Sequence, residues 1–549
     1  MTKVFPRSVW LYALILAFVT SLPYLTGSLS TPPGWEYSGS PAVPIGVQVD
    51  YNSHLAKMWQ GNRGQWNYHL LFTHEDHRGI FPVQGFYVAL GALASITPFS
   101  LPAIYHIARF ALTLCMVLAI WAFAARFFDK TSERWLALLF GTIVGGWSWL
   151  LLIFDPAMTA NTSPIEFWLT DAFNLFGALY MPHFAAAVTL QIVVMLSYDL
   201  WVRAPENELG SRRISPLIIL TLALAAESIV QPYVILLFGP LLVILTAYHV
   251  FSAKRLSIRR ALWLIIPLGV HGGLTLYQYA IISSDPIWAA FTAQNQTLSP
   301  LVTYYLLGYL PFLIPIIPGA RVFMLDDADD RWWMPILWVA LVGMLLYAPF
   351  PTQRRYLLGV QTPLAVLAAY GWSRAILPRL KRPRRPLLTI VYMTLASIAL
   401  VGMIFANVVA ISKPVDDPGV YYQPDELQGY AWLARESPNP NDLILTTFDL
   451  SGKGSGGRLV GATGRRVFIG HWYETANFTE KVEQVKEFYN PSTSDAWRRD
   501  FLQNIGAVYV WYDDYARKIG DWNPESADYL EQVFTSGTVT IYKVRSSES

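Results

Sequence analysis

Phe81-Pro-Val-Gln-Gly-Phe-Tyr-Val-Ala-Leu-Gly-Ala-Leu-Ala-Ser-Ile-Thr-Pro-Phe-Ser-Leu101 is the stretch on which the architecture of this 549-residue chain turns. It is apolar, but Pro82, Gly85, Gly91 and Pro98 interrupt it, and a helix crossing ~30 Å of hydrocarbon needs about 20 predominantly apolar residues. Other apolar stretches are easier to read. Runs at about Val9–Ser28, Ile104–Phe127, Trp135–Phe154, Phe184–Trp201, Ser215–Val230, Tyr233–Phe251, Ala261–Ile282, Val302–Ala320, Met334–Phe350, Leu357–Ile376 and Leu387–Ile411 read as eleven transmembrane helices. Whether Phe81–Leu101 adds a twelfth decides the side on which every later loop lies.

Loop charge resolves the choice, because cytoplasmic loops carry an excess of Lys and Arg. If Phe81–Leu101 does not cross, the cytoplasmic segments hold Lys3 and Arg7, then Arg126, Lys130 and Arg134, then Arg203, Arg212 and Arg213, then the cluster Lys254–Arg260, and last Arg379–Arg385. If it crosses, most of these clusters invert to the outside. The stretch therefore reads as a helix that dips into or lies on the outer face, with a cytoplasmic N-terminus and an outer C-terminus. One cytoplasmic loop, Arg321–Arg331, is acidic and breaks the trend. The run after Lys3 and Arg7 has the charge order of a signal peptide but no small-residue cleavage site, so it reads as a retained first helix.

Composition agrees. Hydrophobic residues make up 54% of the chain and charged ones 14%, against about 25% charged in soluble domains. The net charge of +2 and the scatter of Lys and Arg over short loops give no basic face for nucleic acid. The single cysteine, Cys115, cannot form an internal disulfide and reads as a small core residue.

The resulting fold class is an all-α polytopic membrane domain, residues 1–411, with outer loops at 30–101 and 155–183, followed by a C-terminal extracytoplasmic α/β domain at 412–549. In that last segment Leu443–Thr447, Val467–Ile469, Ala507–Tyr512 and Thr538–Val544 read as strands. Asp425–Glu436, Thr479–Tyr489 and Ser494–Asn504 read as helices, an alternation that predicts a small α/β domain. The glycine-rich Gly452-Lys-Gly-Ser-Gly-Gly457 lacks phosphate-loop spacing and reads as a flexible loop that does not open a helix.

The chemistry concentrates in the outer loops. Val49-Asp-Tyr-Asn-Ser-His-Leu-Ala-Lys-Met-Trp-Gln-Gly61 spaces its apolar and aromatic residues as an amphipathic surface helix does. Asp50 opens it at the N-cap position, where it either caps the helix or serves as an acid–base group, and His54 follows one turn on. The second outer loop offers Asp155, Glu166 and Asp171, with His183 at the mouth of the next span. His69, His74, Glu75, Asp76 and His77 form a loop cluster that could hold a divalent metal ion, although it lacks a helical i, i+4 His pair. Ionisable residues in spans are functional hypotheses by default, which singles out Arg109 and Glu227. Arg354 and Arg355 are paired arginines on the outer side, against the charge trend, and guanidinium groups bind phosphate oxygens bidentately.

The order of membrane helix, outer loop opening on an acidic residue, amphipathic helix ending at Gly61, and Pro-led apolar helix Phe81–Leu90 resembles the GT-C superfamily of integral membrane glycosyltransferases, chiefly over the first 200 residues. The resemblance implies a glycosyltransferase that moves a hexosyl or pentosyl group from a polyprenyl-phosphate donor to a glycan, lipid or protein acceptor at the outer face, with inversion. It implies Asp50 as the catalytic carboxylate, with Asp171 or Asp155 as the second acidic position. His54, Arg109, Glu166, His183, Glu227, Arg354 and Arg355 would contact substrate. No tight Asp-x-Asp pair is present, and a divalent metal ion is the one cofactor the carboxylates suggest. The implied location is a bacterial plasma membrane. Two other classes share the composition. A transporter or lipid flippase would show repeated halves with broken helices at matching positions, and no such repeat stands out. A non-catalytic membrane protein presenting the C-terminal domain for binding would lack an outer cavity rimmed by carboxylates.

Overall fold

The computed structural model describes residues 5–154, 164–205, 211–324, 329–414 and 419–545. Asp155 lies outside them. The chain divides into two compact units. One comprises Met1–Leu22, His106–Tyr277 and Gln296–Ala406, and the other Pro23–Tyr105, Gln278–Asn295 and Asn407–Ser549.

The first unit is helical. Six helices of the chain are long and apolar enough to cross a membrane: Arg7–Ser30, Leu101–Ala124, Pro182–Arg203, Pro232–Ser252, Ile258–Ser283 and Arg382–Ile411. Val302–Gly308 and Leu310–Phe323, bent by 80°, add a seventh if taken as one span. The chain is an integral membrane protein. The remaining apolar runs are helical but shorter. Trp135–Phe154, expected as one helix, is broken. Helix Thr131–Thr142 ends, and Gly145 donates its N–H to the Ala396 carbonyl at 2.7 Å. A Cβ on Gly146 would come within 2.8 Å of the Glu166 carboxylate. Close backbone approach at the two glycines replaces the helical ladder there. Phe81–Leu101 contains only the 11-residue helix Gly85–Ser95, about 16 Å at 1.5 Å per residue, too short to cross. Cys115 is exposed on its helix, so the core reading of it is corrected. On a membrane helix that face meets lipid, which is as apolar as a core.

The acidic loop before Trp332 has its partners at one end of this unit. Asp330 is partly buried and pairs with Arg203 at 2.7 Å and Arg255 at 2.6 Å. Asp199 pairs with Arg203 at 2.6 Å and with Arg126. Arg126, Arg203 and Arg255 come from three loops or helix ends read as cytoplasmic, so the acidic loop shares their side, and its charge is offset within the network.

The second unit is built around a mixed four-stranded sheet in the order β3-β4-β6-β5, with β3 (Leu443–Leu445) parallel to β4 (Ala507–Tyr512). The pairs β4–β6 and β5–β6, involving β5 (Leu530–Ser536) and β6 (Val539–Val544), are antiparallel. Val467 contributes only a bridge to Ile444. β5 lies at the sheet edge, and its Leu-Glu-Gln-Val-Phe-Thr-Ser lacks the clean alternation that marks a strand in sequence. The helices Pro424–Glu436, Phe478–Tyr489 and Asp495–Ile505 fall where expected. The first outer loop belongs to this same unit. β1 (Glu36–Tyr37) pairs with β2 (Tyr421–Tyr422), Val467 N–H donates to the Leu71 carbonyl at 2.8 Å, and Ala56, Leu71 and Phe72 share a buried core with Ile444, Val467 and Trp511.

Candidate active site

Helix Ile45–Asn62 carries Asp50. The helix starts after Pro44, five residues before Asp50, so the N-cap expectation is corrected. Asp50 is an interior residue of the helix, not its cap. The surface-helix reading is corrected too. Twelve of the 18 residues are buried, because helix Gly85–Ser95, helix Ser455–Thr463 and the sheet side of the unit cover it. A helix with this much buried surface needs close neighbours, and glycines supply them. Gly61 would place a Cβ 1.9 Å from the Val88 carbonyl oxygen, and Gly91 one 1.9 Å from that of Met58. A Cβ on Gly461 would lie 2.5 Å from the Asn52 side-chain oxygen. Helix Ser455–Thr463 follows directly on Gly454, which has φ +147°. The glycine-rich segment therefore does open a helix, contrary to the loop expectation, and its glycines permit contact with Asn52 and with the Ile469 carbonyl.

Asp50 remains 38% exposed, while its partner His471 is 3% exposed, with His471 Nε2 and Asp50 Oδ1 3.3 Å apart. The imidazole is oriented from behind. Its Nδ1 accepts from the N–H groups of Tyr473 at 3.1 Å and Glu474 at 3.2 Å. That leaves the ring proton on Nε2, aimed at the carboxylate. The His471–Glu474 loop is buried at both ends, because it packs on the Asp50 helix. A carboxylate that faces an imidazole N–H and is also open to solvent can accept a proton from a hydroxyl brought to it. His54 lies one turn on, but its ring stacks on Tyr87 at 4.0 Å and 11°, in a line that continues to Tyr105.

The other expected residues belong to the helical unit. Asp171 is buried, with Arg355 Nη1 at 3.5 Å, and Arg354 lies over the Trp168 ring at 5.1 Å. The paired arginines thus meet the second outer loop at two points. Glu166 is fully buried and accepts from Trp149 N–H at 3.0 Å. Burial pushes its carboxyl up, since desolvation disfavours the charged form. Arg109 is buried and ties segments together, donating to the carbonyls of Ala178 at 2.6 Å and Thr20 at 3.2 Å and to Ser21 Oγ at 2.8 Å. Glu227 is fully buried beside Gln191 Nε2 at 3.1 Å. His183 packs edge-on to Phe184 at 4.5 Å.

The His69–His77 cluster does not converge. His77 Nε2 accepts from Leu70 N–H at 2.8 Å and its Nδ1 donates to the Glu75 carbonyl at 2.8 Å. Glu75 instead pairs with Lys481 at 2.6 Å. Among the described residues no group of three or more His, Cys, Asp or Glu is placed to hold a metal ion. A cavity of about 310 Å³ opens beside this segment, lined by Arg63, His69, Asp76, Asn441 and Arg466 among others. Both guanidiniums there already donate to backbone carbonyls, Arg63 to Gly464 and Thr463 and Arg466 to Thr73, His74 and Glu75. Nothing in the sequence links His471 to Asp50, or Lys57 and Tyr68 to Glu474 behind that pair. The available signal was Lys57 itself, a lysine seven residues after Asp50 in a segment otherwise rich in apolar side chains.

No family model and no curated protein matches the sequence. Solved structures do match. The oligosaccharyltransferase of Archaeoglobus fulgidus, in its apo form, aligns over 93% of this chain and 70% of its own, with a TM-score of 0.58 and 12% identity. ArnT from Cupriavidus metallidurans in the apo state aligns over 98% of both chains, with a TM-score of 0.51 and 12% identity. The chain has the GT-C fold. The archaeal enzyme AglB from the same Archaeoglobus has also been solved with an inhibitory peptide and a dolichol-phosphate (TM-score 0.57, 12% identity, 93% of this chain and 70% of that one), and ArnT with undecaprenyl phosphate (0.50, 12%, 98% of each). Within the GT-C fold seen here, Asp50 stands on a helix of the segment between the first two long apolar helices.

Proposed function

We propose that this chain is a membrane glycosyltransferase that moves a sugar from a polyprenyl-phosphate donor to a hydroxyl-bearing acceptor at the extracytoplasmic face. The observation that carries this reading is the Asp50 carboxylate, exposed yet held by His471 Nε2–H, in a chain with the GT-C fold. In the reaction, Asp50 takes the proton from the acceptor hydroxyl as its oxygen attacks the anomeric carbon. The bond from that carbon to the phosphate oxygen breaks, the lipid phosphate leaves with the electron pair, and the anomeric configuration inverts. Arg354 and Arg355 are the helical unit's candidates for the donor phosphate, because guanidinium groups match phosphate oxygens and stay charged. Eleven spans, a cytoplasmic N-terminus, an extracytoplasmic C-terminus and a bacterial plasma membrane complete the proposal. The network around Asp330 supports the topology.

The test is transfer from a radiolabelled polyprenyl-phosphate-linked pentose or hexose by membranes containing the full chain. Asp50→Asn keeps the shape and removes the base, and transfer should fall roughly 100-fold or more with the protein still folded. Arg354→Ala with Arg355→Ala should raise KM for the donor. Near-normal transfer by Asp50→Asn would remove Asp50 as the base.

A further inference from the structure

The loop that carries His471 is held to the Asp50 helix at a second point. Glu474, 4% exposed, accepts from Lys57 Nζ at 2.5 Å and from Tyr68 OH at 2.6 Å. Lys57 is itself 2% exposed and also donates to Ser53 Oγ at 3.0 Å. Burial pushes the Glu474 carboxyl up, but the Lys57 ammonium and the hydrogen bonds to it more than offset this, so the group sits below the usual carboxylate range.

The spacing gives the arrangement its meaning. Asp50 and Lys57 are seven residues apart, two helical turns, so they lie on one face about 10 Å apart. The loop meets that face with His471 opposite the Asp50 carboxylate and Glu474 opposite the Lys57 ammonium, two contacts of opposite polarity. Between them the loop is tied internally. Thr475 Oγ1 accepts from the N–H groups of Gly470 and His471, each at 3.3 Å. Gln294 Nε2, at the end of helix Pro286–Gln294, donates to the carbonyls of Tyr473 at 2.8 Å and Thr475 at 2.6 Å. Glu474 contributes at both ends of this chain of bonds. Its side chain anchors the loop, and its own N–H is one of the two that hold His471 Nδ1. A buried ion pair of this kind is weak evidence for stability, because desolvation offsets most of the attraction. Its effect here is geometric, since it fixes which residues of the loop face which turns of the helix.

We propose that Glu474, locked by Lys57 and Tyr68, is a positioning residue that sets the 471–475 loop so that His471 presents Nε2–H to Asp50. The inference rests on the reading of Asp50 as the base, and it makes a separate claim about the imidazole that does not depend on the substrate. Without the anchor the loop is free to slide along the helix, the backbone N–H groups leave Nδ1, and the imidazole no longer has one preferred tautomer.

The test uses the full chain in lipid nanodiscs with 15N-labelled histidine, the His471 signals being assigned by their loss in His471→Ala. Wild type should show the Nε2–H tautomer. Glu474→Gln should show averaging of the two ring nitrogens, and so should the pair Lys57→Met with Glu474→Gln, which leaves no lone buried charge and so guards against simple unfolding. In transfer assays with the labelled polyprenyl-phosphate sugar, Glu474→Gln should lower kcat by about 10- to 100-fold, the size of effect that misplacing a reacting group produces, with KM unchanged. Adding His471→Ala should bring no further loss, since residues acting through one another are not additive. An unchanged His471 tautomer in both variants overturns the proposal, and so does an additive loss in the double variant. A wild type inert toward the sugar donors, with a tautomer that still depends on Glu474, supports the positioning role and counts only against the transfer reading.

Discussion

At the scale of the residue, a buried ionisable group makes stability depend on pH in a direction set by its surroundings. His74 packs against Phe468 at 5.2 Å, and burial, with Lys481 nearby, lowers its pKa to about 4. In the unfolded chain it titrates near 6.5. Between these values the unfolded state binds more protons, so stability contributed by the neutral ring is present above about pH 6.5 and is lost as pH falls toward 4. The side chain is partly exposed, so solvent screening reduces the effect to on the order of 1–2 kcal/mol. His74→Gln should flatten this part of the profile, read as a smaller drop in the thermal midpoint between pH 7 and pH 5 than wild type shows. Asp50 illustrates the complementary case. Its place inside helix Ile45–Asn62 rather than at the cap means that Asp50→Asn alters chemistry without touching helix initiation, so the loss expected from it reports on the carboxylate itself.

At the scale of the element, two short helices are fitted to each other by the absence of side chains. Gly61 and Gly91 face the carbonyl oxygens of Val88 and Met58, each with room for hydrogen only. Those are backbone atoms, so an added methyl group cannot be accommodated by a rotamer change, and the helices must separate. Gly91→Ala should therefore destabilise by about 1–3 kcal/mol, the range for overpacking. Gly46, in the first turn of helix Ile45–Asn62, has nothing within 4 Å of a built Cβ, and Gly46→Ala should leave stability unchanged or raise it slightly, since alanine is the better helix former. Thermal unfolding of both variants in detergent separates packing from propensity. The cause is local, but the consequence reaches the site, because helix Ile45–Asn62 carries Asp50 and Lys57.

At the scale of the whole molecule, the C-terminal segment does not own its core. Ala56, Leu71 and Phe72 of the first outer loop are buried with Ile444, Val467 and Trp511, strand β1 of that loop pairs with β2, and Arg466 donates to three carbonyls of residues 73–75. Residues 412–549 expressed alone would expose this apolar face and leave Arg466 unsatisfied. They should be soluble only in part and quickly cleaved by protease, whereas the same segment within the full chain should resist. The helical unit makes its own prediction. Asp330 joins Arg203 and Arg255, and Asp199 joins Arg126, so four loops share one side. Reporter fusions at Lys381 and at the C-terminus should report opposite sides of the membrane, and agreement between them would refute the eleven-span reading.

The amino-acid sequence alone carried the membrane class, the positions of most apolar helices, and the alternation of strands and helices after Ile411, and it singled out Asp50 as a candidate. Each of these is written in local chemistry: run length, charge bias, period, and a carboxylate in an aromatic-rich outer loop. It did not carry where helix Ile45–Asn62 begins, because Pro44 and the covering elements set that start rather than a capping side chain. Nor did it show that Trp135–Phe154 breaks, since the break depends on Ala396 and Glu166 meeting Gly145 and Gly146. The pairing of Asp50 with His471 spans 421 positions, and that of Lys57 with Glu474 spans 417. No period or motif links residues so far apart. Only the packing of the C-terminal segment onto the first outer loop brings Asp50, the His471 imidazole and the buried Lys57–Glu474 pair together, because contacts at that separation are decided by which surfaces exclude water from each other.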